Sequence, residues 1–391
     1  MKTLLSLPTP ISRPASRRDR RADAMDLPAD CTLMGAGFFT WLASISRSRR
    51  GVAEARKSLH RFFCEVSGLA MAALALGAGI ALAADLRIGM IGLDTSHVVA
   101  FTQLLNDPAR SNHVAGGRVV AAYPGGSQDI ESSRTRVDGY TRELRDKWGV
   151  RIVDTIEALC EAVDVVMLES VDGRPHLEQV KPVIRARKPV FIDKPMAGSL
   201  RDVIAIQRLA REHGVPCFSS SSLRYYPGLI ELKKAPAGEV RGAVSTGPCP
   251  VEPHHPDLFW YGIHAVEALY AVLGPGCEQV TRATTPNAEV VTGVWKDGRF
   301  GTMIGLREGA APYRVTVYGS KAVVDQKPGG DYGPLVREVM QFFQTGVAPV
   351  SPEETLELFA FMEGADESKR QGGKPVRIAD VIRNAGGEPA K

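Results

Sequence analysis

The chain has 391 residues, enough for two ordinary domains and extra segments, and its 44% hydrophobic content excludes disorder as the default state. The formal charge of +4 is unevenly spread: residues 1–83 hold 12 Lys+Arg against 6 Asp+Glu, whereas from Ala84 onward 36 face 38. That near-neutral remainder has no long basic run, which excludes an extended nucleic-acid surface.

The first 83 residues read as a leader. Val66–Ala84 carries no charge, follows Arg49, Arg50, Arg56, Lys57 and Arg61, and ends in Ala81-Leu82-Ala83, the layout of a signal peptide with an A-x-A cleavage site. The expectation is export to the periplasm with cleavage near Ala83, and no stable membrane insertion afterwards. A membrane anchor is the alternative, although alanine and glycine dominate the run and large aliphatic side chains are few. Residues 1–50, rich in Arg, Ser and Pro, make a poor n-region, so a start site further downstream is also open. Four of the six cysteines (Cys160, Cys217, Cys249, Cys277) follow the leader, and no pair has C-x-x-C spacing. That removes zinc and thioredoxin-like sites and leaves buried free thiols as the expectation.

From Leu86 the pattern alternates. Strands are predicted at Leu86–Gly92, Arg118–Tyr123, Arg151–Val153, Val163–Leu168, Pro189–Asp193 and Val215–Ser221. Helices fall between them at Ser96–Leu105, Arg134–Trp148, Thr155–Ala162, Pro175–Arg187 and Leu200–His213. Continuously apolar strands separated by amphipathic helices imply an α/β, doubly wound parallel sheet of the Rossmann type over residues 84–222. Beyond Leu223 a helix at Tyr261–Leu273 precedes strands near Gln279–Thr284, Ala288–Trp295, Gly301–Leu306 and Tyr313–Tyr318, an antiparallel arrangement. Helices return at Tyr332–Gln344 and Ser351–Asp366, the second opened by Ser351-Pro352-Glu353-Glu354 as a capping box. Residues 223–391 thus read as an α+β domain with an open, mostly antiparallel sheet.

Three stretches could carry chemistry. Gly92-Leu93-Asp94-Thr95-Ser96-His97 stands where a dinucleotide fold places G-x-G-x-x-G, and only the first glycine is kept. Asp94 puts a carboxylate where a diphosphate would sit, or serves only as a helix N-cap, while the helix start at Thr95-Ser96 still offers N–H groups to an anion. The second strand ends without a carboxylate, leaving Ser127 and Arg134 as candidates to accept a 2′-phosphate. Phe191-Ile192-Asp193-Lys194-Pro195 ends a parallel strand, where open α/β sheets bind ligands. His254-His255-Pro256-Asp257 does not make a metal site, since adjacent histidines do not share a face and no third ligand has recognisable spacing. No metal is expected. Ser219–Ser222 lacks the G-x-S-x-G of a nucleophile elbow and supplies hydroxyls only.

Gly92 at the first turn, His176 on the helix after the fourth strand, Asp193-Lys194-Pro195, and Arg224-Tyr225-Tyr226-Pro227 together resemble the Gfo/Idh/MocA family of glucose–fructose oxidoreductase, inositol dehydrogenase and rhizopine catabolism type. The resemblance covers about Leu86 to Gly274, and the remainder loosely. Asp193-Lys194-Pro195 corresponds to the family's E-K-P motif, and Trp260-Tyr261-Gly262-Ile263-His264-Ala265-Val266-Glu267 to its D-x-G-x-H-x-x-D motif, with Trp260 in place of the first Asp. The resemblance implies an oxidoreductase using NAD or NADP on a sugar, polyol or cyclitol, a small-molecule carbohydrate substrate, and a homo-oligomer formed through the C-terminal sheet. It implies Lys194 and His264 as catalytic residues, with Arg224, Tyr225, Trp260 and Tyr261 shaping the substrate pocket. The implied cofactor set is Gly92, Asp94, Thr95, Ser96, His97, Ser127, His176, Asp193, Lys194 and Pro195. Read on its own, His264 is a core histidine on an apolar helix, and it is the motif spacing together with Lys194 that makes it a site residue. A redox-inactive carbohydrate-binding or regulatory protein, and a redox-neutral lyase or hydrolase, remain open.

Overall fold

A computed structural model describes residues 84–389, and the leader expected over residues 1–83 lies outside them. In chain order the first half contains β1 (Leu86–Ile91), α1 (Ser96–Asn106), β2 (Gly117–Tyr123), α2 (Glu131–Arg134), α3 (Val137–Trp148) and β3 (Arg151–Ile152). It continues through α4 (Ile156–Ala162), β4 (Val165–Leu168), α5 (His176–Arg185), β5 (Val190–Asp193), α6 (Leu200–His213) and β6 (Cys217–Ser220). All neighbours in this sheet are parallel, in the order β3-β2-β1-β4-β5-β6. β4 and β5 are buried at every residue because helices cover both faces, which is why they read as unbroken apolar runs. The order reverses between β1 and β4, and the crevice beyond their C-terminal ends is the ligand position of such sheets.

A 3₁₀ turn at Ser222–Tyr225 and α7 (Pro227–Lys233) lead into the second half. It holds β7 (Val240–Pro248), α8 (Gly262–Leu273), β8 (Cys277–Thr284), β9 (Ala288–Trp295), β10 (Phe300–Leu306), β11 (Arg314–Gly319) and β12 (Val323–Asp325). After these come α9 (Gly333–Thr345), α10 (Pro352–Arg370), β13 (Val376–Arg377) and α11 (Ile378–Asn384). The second sheet runs β12-β11-β7-β10-β9-β8-β13 and is antiparallel except for the β7–β10 pair. The sequence reading missed β7, a central strand. Its Val-Arg-Gly-Ala-Val-Ser-Thr-Gly-Pro has little apolar bulk because its neighbours come close: a Cβ on Gly242 would lie 2.4 Å from the Phe300 ring.

The two sheets belong to one compact unit. One face of the first sheet packs Ile88 and Met90 against Phe101 of α1, Leu144 of α3 and Leu335, Val339 and Phe342 of α9. Its other face joins α4–α6 and merges with the core of the second half, where Leu269, Trp295 and Phe361 meet. Ser351 caps α10 by accepting from the Glu354 N–H at 3.1 Å, but the Glu354 carboxylate turns away to Arg224 instead of closing the expected box. Cys160, Cys217, Cys249 and Cys277 are free thiols, and no helix of the described residues is long and apolar enough to cross a membrane.

Candidate active site

A cavity of about 380 Å³ opens at the C-terminal ends of the parallel strands. The first half contributes Thr95, Ser96, His97, Val171 and Lys194 to its wall, and the second half Tyr226, Trp260, Tyr261, His264, Tyr313 and Tyr332. Lys194 and His264, which lie 70 residues apart in sequence, therefore face one space.

Lys194 follows the last residue of β5, and the Lys194–Pro195 peptide is cis. The Lys194 Nζ sits 5.3 Å from the centroid of the Tyr261 ring, over its electron-rich face. Burial pulls the ammonium pKa below its ordinary value, while Asp193 and Glu169 oppose the shift. His264 lies in the first turn of α8, which can approach because Gly262 leaves room beside Cys249 and Leu258. Its Nδ1 is 2.7 Å from the Ser221 Oγ, and Tyr261 and Tyr313 meet its ring edge-on. Burial holds the imidazole well below the usual histidine range, with Lys194 and His97 adding to the effect, so it is neutral at pH 7.

The diphosphate turn departs from the usual fingerprint without placing a charge in the cleft. Gly92 has φ +86°, and a Cβ there would fall 2.2 Å from the Ser170 Oγ, so no other residue fits. Asp94 is fully buried: its Oδ2 accepts from the Ser133 hydroxyl at 2.6 Å and its Oδ1 from the Val171 N–H at 2.9 Å. Burial raises its pKa, opposed by those hydrogen bonds. The cap of α1 is Thr95, which accepts from the His97 N–H at 3.4 Å, so Asp94 is not the N-cap. Thr95 and Ser96 at the helix start line the cleft together with Arg136, and these groups fit an anionic dinucleotide.

His97 occupies the third glycine position. Its Nδ1 is 2.6 Å from the Asp193 Oδ2, and its ring stacks on Phe101 and meets Tyr332 edge-on. Burial works to raise the Asp193 pKa, but His97 and Lys194 outweigh it and hold the carboxyl below its ordinary value. Glu169, one residue past β4, was absent from the sequence expectations. It is fully buried, and neither carboxylate oxygen has a hydrogen-bond partner. Burial, with Asp193 adding, pushes its pKa well up. A carboxylate ending the apolar run Val165–Leu168 was the signal that could have found it.

Other expected site residues stand outside the cleft wall. Ser127 donates to Asp172 at 2.6 Å, and Asp172 also receives Arg174, so this hydroxyl is committed to the loops. His176 bridges the loops after β4 and β5 through the Ser170 and Met196 carbonyls. Arg224 is buried in ion pairs, with Nε 2.8 Å from Glu267 and Nη1 2.5 Å from Glu354, and Tyr225 packs into the core under the first sheet. The pair expected to shape the pocket therefore lies outside the cleft wall, and Tyr226, in extended backbone just after the 3₁₀ turn, lines it instead. His254 bonds Glu252 and His255 lies beside Asp172, so the two do not converge on an ion.

Residues 86–221 match the family model described as oxidoreductase family, NAD-binding Rossmann fold. A search of curated proteins finds no match to the sequence. Among solved structures, scyllo-inositol dehydrogenase from Lactobacillus casei is 12% identical with a TM-score of 0.63, over 75% of this chain and 98% of that one. Myo-inositol 2-dehydrogenase from Lactobacillus plantarum is 16% identical with a TM-score of 0.61, over 75% and 99%. An oxidoreductase from Agrobacterium radiobacter, solved with NAD+, L-tartaric acid and magnesium, is 16% identical with a TM-score of 0.59, over 76% and 100%. At such identities the likeness is one of fold.

Proposed function

We propose that the protein, whose residues 86–221 match the Gfo/Idh/MocA oxidoreductase family model with its NAD-binding Rossmann fold, interconverts a hydroxyl and a ketone on a sugar, polyol or cyclitol in the cleft between its two sheets. The carrying observation is that Lys194 and His264 share one cavity walled by Trp260, Tyr261, Tyr313 and Tyr332. Such an aromatic wall suits the C–H faces of a polyhydroxylated ring.

When bound, the nicotinamide supplies or takes up the hydride at the reacting carbon. Lys194 places a poorly solvated cation beside the substrate oxygen, favouring the alkoxide as it forms. His264 moves the proton. Its Nδ1 is engaged by Ser221, which leaves Nε2 for the substrate hydroxyl. The serine hydroxyl accepts from Nδ1–H both while Nε2 is a base and after Nε2 has taken the proton, so one contact serves both directions. Thr95, Ser96 and Arg136 hold the cofactor phosphates at the start of α1.

The test is to mix the purified chain with NAD+ or NADP+ and a panel of inositols, aldoses and polyols and to follow reduced nicotinamide. Turnover with at least one cyclic polyol is expected. No turnover across the panel, with no NAD(P) binding by calorimetry, overturns the proposal. The uncharged run Val66–Ala84 adds an export step, checked by N-terminal sequencing of the native protein. A chain beginning at Ala84 supports it, and one retaining Val66–Ala83 sinks it.

A further inference from the structure

At the edge of the cleft, His97, Asp193 of the Asp193-Lys194-Pro195 motif and Glu169 form a group of side chains to which the proposed hydride and proton transfers give no task. One ligand atom each from His97, Glu169 and Asp193 lie within 4.8 Å of one another, and all three residues are buried. His97 reaches this point from the first turn of α1, Glu169 from just past β4 and Asp193 from the end of β5, so three neighbouring elements at the switch point converge.

The contacts among them do not satisfy the group. Asp193 Oδ2 meets His97 Nδ1, but Asp193 Oδ1 and both oxygens of Glu169 lack partners. Among the described residues, Lys194 makes no ion pair with either carboxylate, and its Nζ faces Tyr261 instead. Two buried carboxyl groups with three oxygens free of hydrogen bonds are donors that a bound cation would satisfy. One imidazole nitrogen and two carboxylates are the donor types of three-ligand zinc and manganese sites, which leave further coordination positions open.

We infer that His97, Glu169 and Asp193 form a binding site for one divalent first-row metal ion of the Zn²⁺ or Mn²⁺ type. His97 also lines the cleft, so the open positions suit hydroxyl or carboxylate oxygens of a small molecule held there. Mg²⁺ is disfavoured because imidazole is a poor ligand for so hard an ion. This site does not depend on hydride chemistry and stands or falls by metal binding alone.

The experiment uses the purified chain, stripped with chelator and titrated with ZnCl₂, MnCl₂ and MgCl₂ by calorimetry, with elemental analysis after gel filtration. One equivalent of Zn²⁺ or Mn²⁺ is expected. Co²⁺ in its place should give visible bands characteristic of nitrogen and oxygen ligands. Glu169→Gln and His97→Ala should weaken binding by more than the roughly 10–100-fold that loss of an outer partner costs, whereas His254→Ala should leave it unchanged. Circular dichroism checks that each variant folds. Absence of binding by the wild-type chain at about millimolar metal overturns the inference without recourse to any variant, and so does affinity that persists in a folded Glu169→Gln.

Discussion

His264 is held neutral across the physiological range by its burial, and Lys194 has its ammonium pKa drawn down by the same cause. On the proposed mechanism the two set opposite limbs of a pH profile. Oxidation of a hydroxyl should run level through neutrality, fall on the acid side as His264 protonates below the ordinary histidine range, and fall on the alkaline side as Lys194 loses its charge below 10.5. His264→Gln should lower kcat about 10²–10⁴-fold and abolish the acid limb; a variant that keeps that limb would assign it to another group. Arg224 gives a contrasting case. Its guanidinium is buried between Glu267 and Glu354, so Arg224→Leu should cost about 3–5 kcal/mol by leaving two carboxylates uncompensated. Denaturant unfolding reads the loss; a raised KM with unchanged stability would restore Arg224 to the substrate pocket. The difference between these residues was only partly visible in the sequence. The motif spacing carries Lys194 and His264 to one cleft, but Arg224 depends on a carboxylate supplied 130 residues later, and Asp94 on Ser133 and Val171. Partners so distant leave no local pattern.

Among the elements, periodicity was a good guide where a strand or helix carries bulk. Leu200–His213 and Ala288–Trp295 are bounded as the sequence suggests, because a serine cap, a terminal glycine and regular alternation mark them. It failed at β7, whose Gly242 and Gly247 make room for Phe300 and Tyr313 from adjoining strands and so erase the apolar signal. It also gave no hint of where α9 packs, since an amphipathic helix shows that a face is buried but not against what. The aromatic rings of Phe342 and Phe218 meet at 4.7 Å, tying α9 to β6 of the first sheet. Phe342→Ala should therefore cost about 3–5 kcal/mol and be felt in the Rossmann half. Hydrogen exchange would show it as lost protection in β5 and β6; loss confined to β8–β10 would contradict the packing.

At the scale of the whole molecule, α8 and α10 cover one face of the second sheet, and the other exposes Val290, Val294, Phe300 and Tyr318. An apolar sheet face of this kind is the proposed oligomer contact. Light scattering should find a dimer or larger species that Val294→Glu with Phe300→Glu disperses; a wild-type monomer would refute it. The path of the chain also limits how the cleft can work. It leaves the first half after β6, returns to it with α9, and leaves again for α10, so three separate connections bridge the cleft's two sides. A pair of bodies joined once can swing like a door, but extra fastenings set away from the pivot hold the leaf to its frame. The aperture above Lys194 and His264 should therefore keep nearly the same width whether empty or filled, and substrates would be sorted by whether they fit that opening rather than by an enclosing motion.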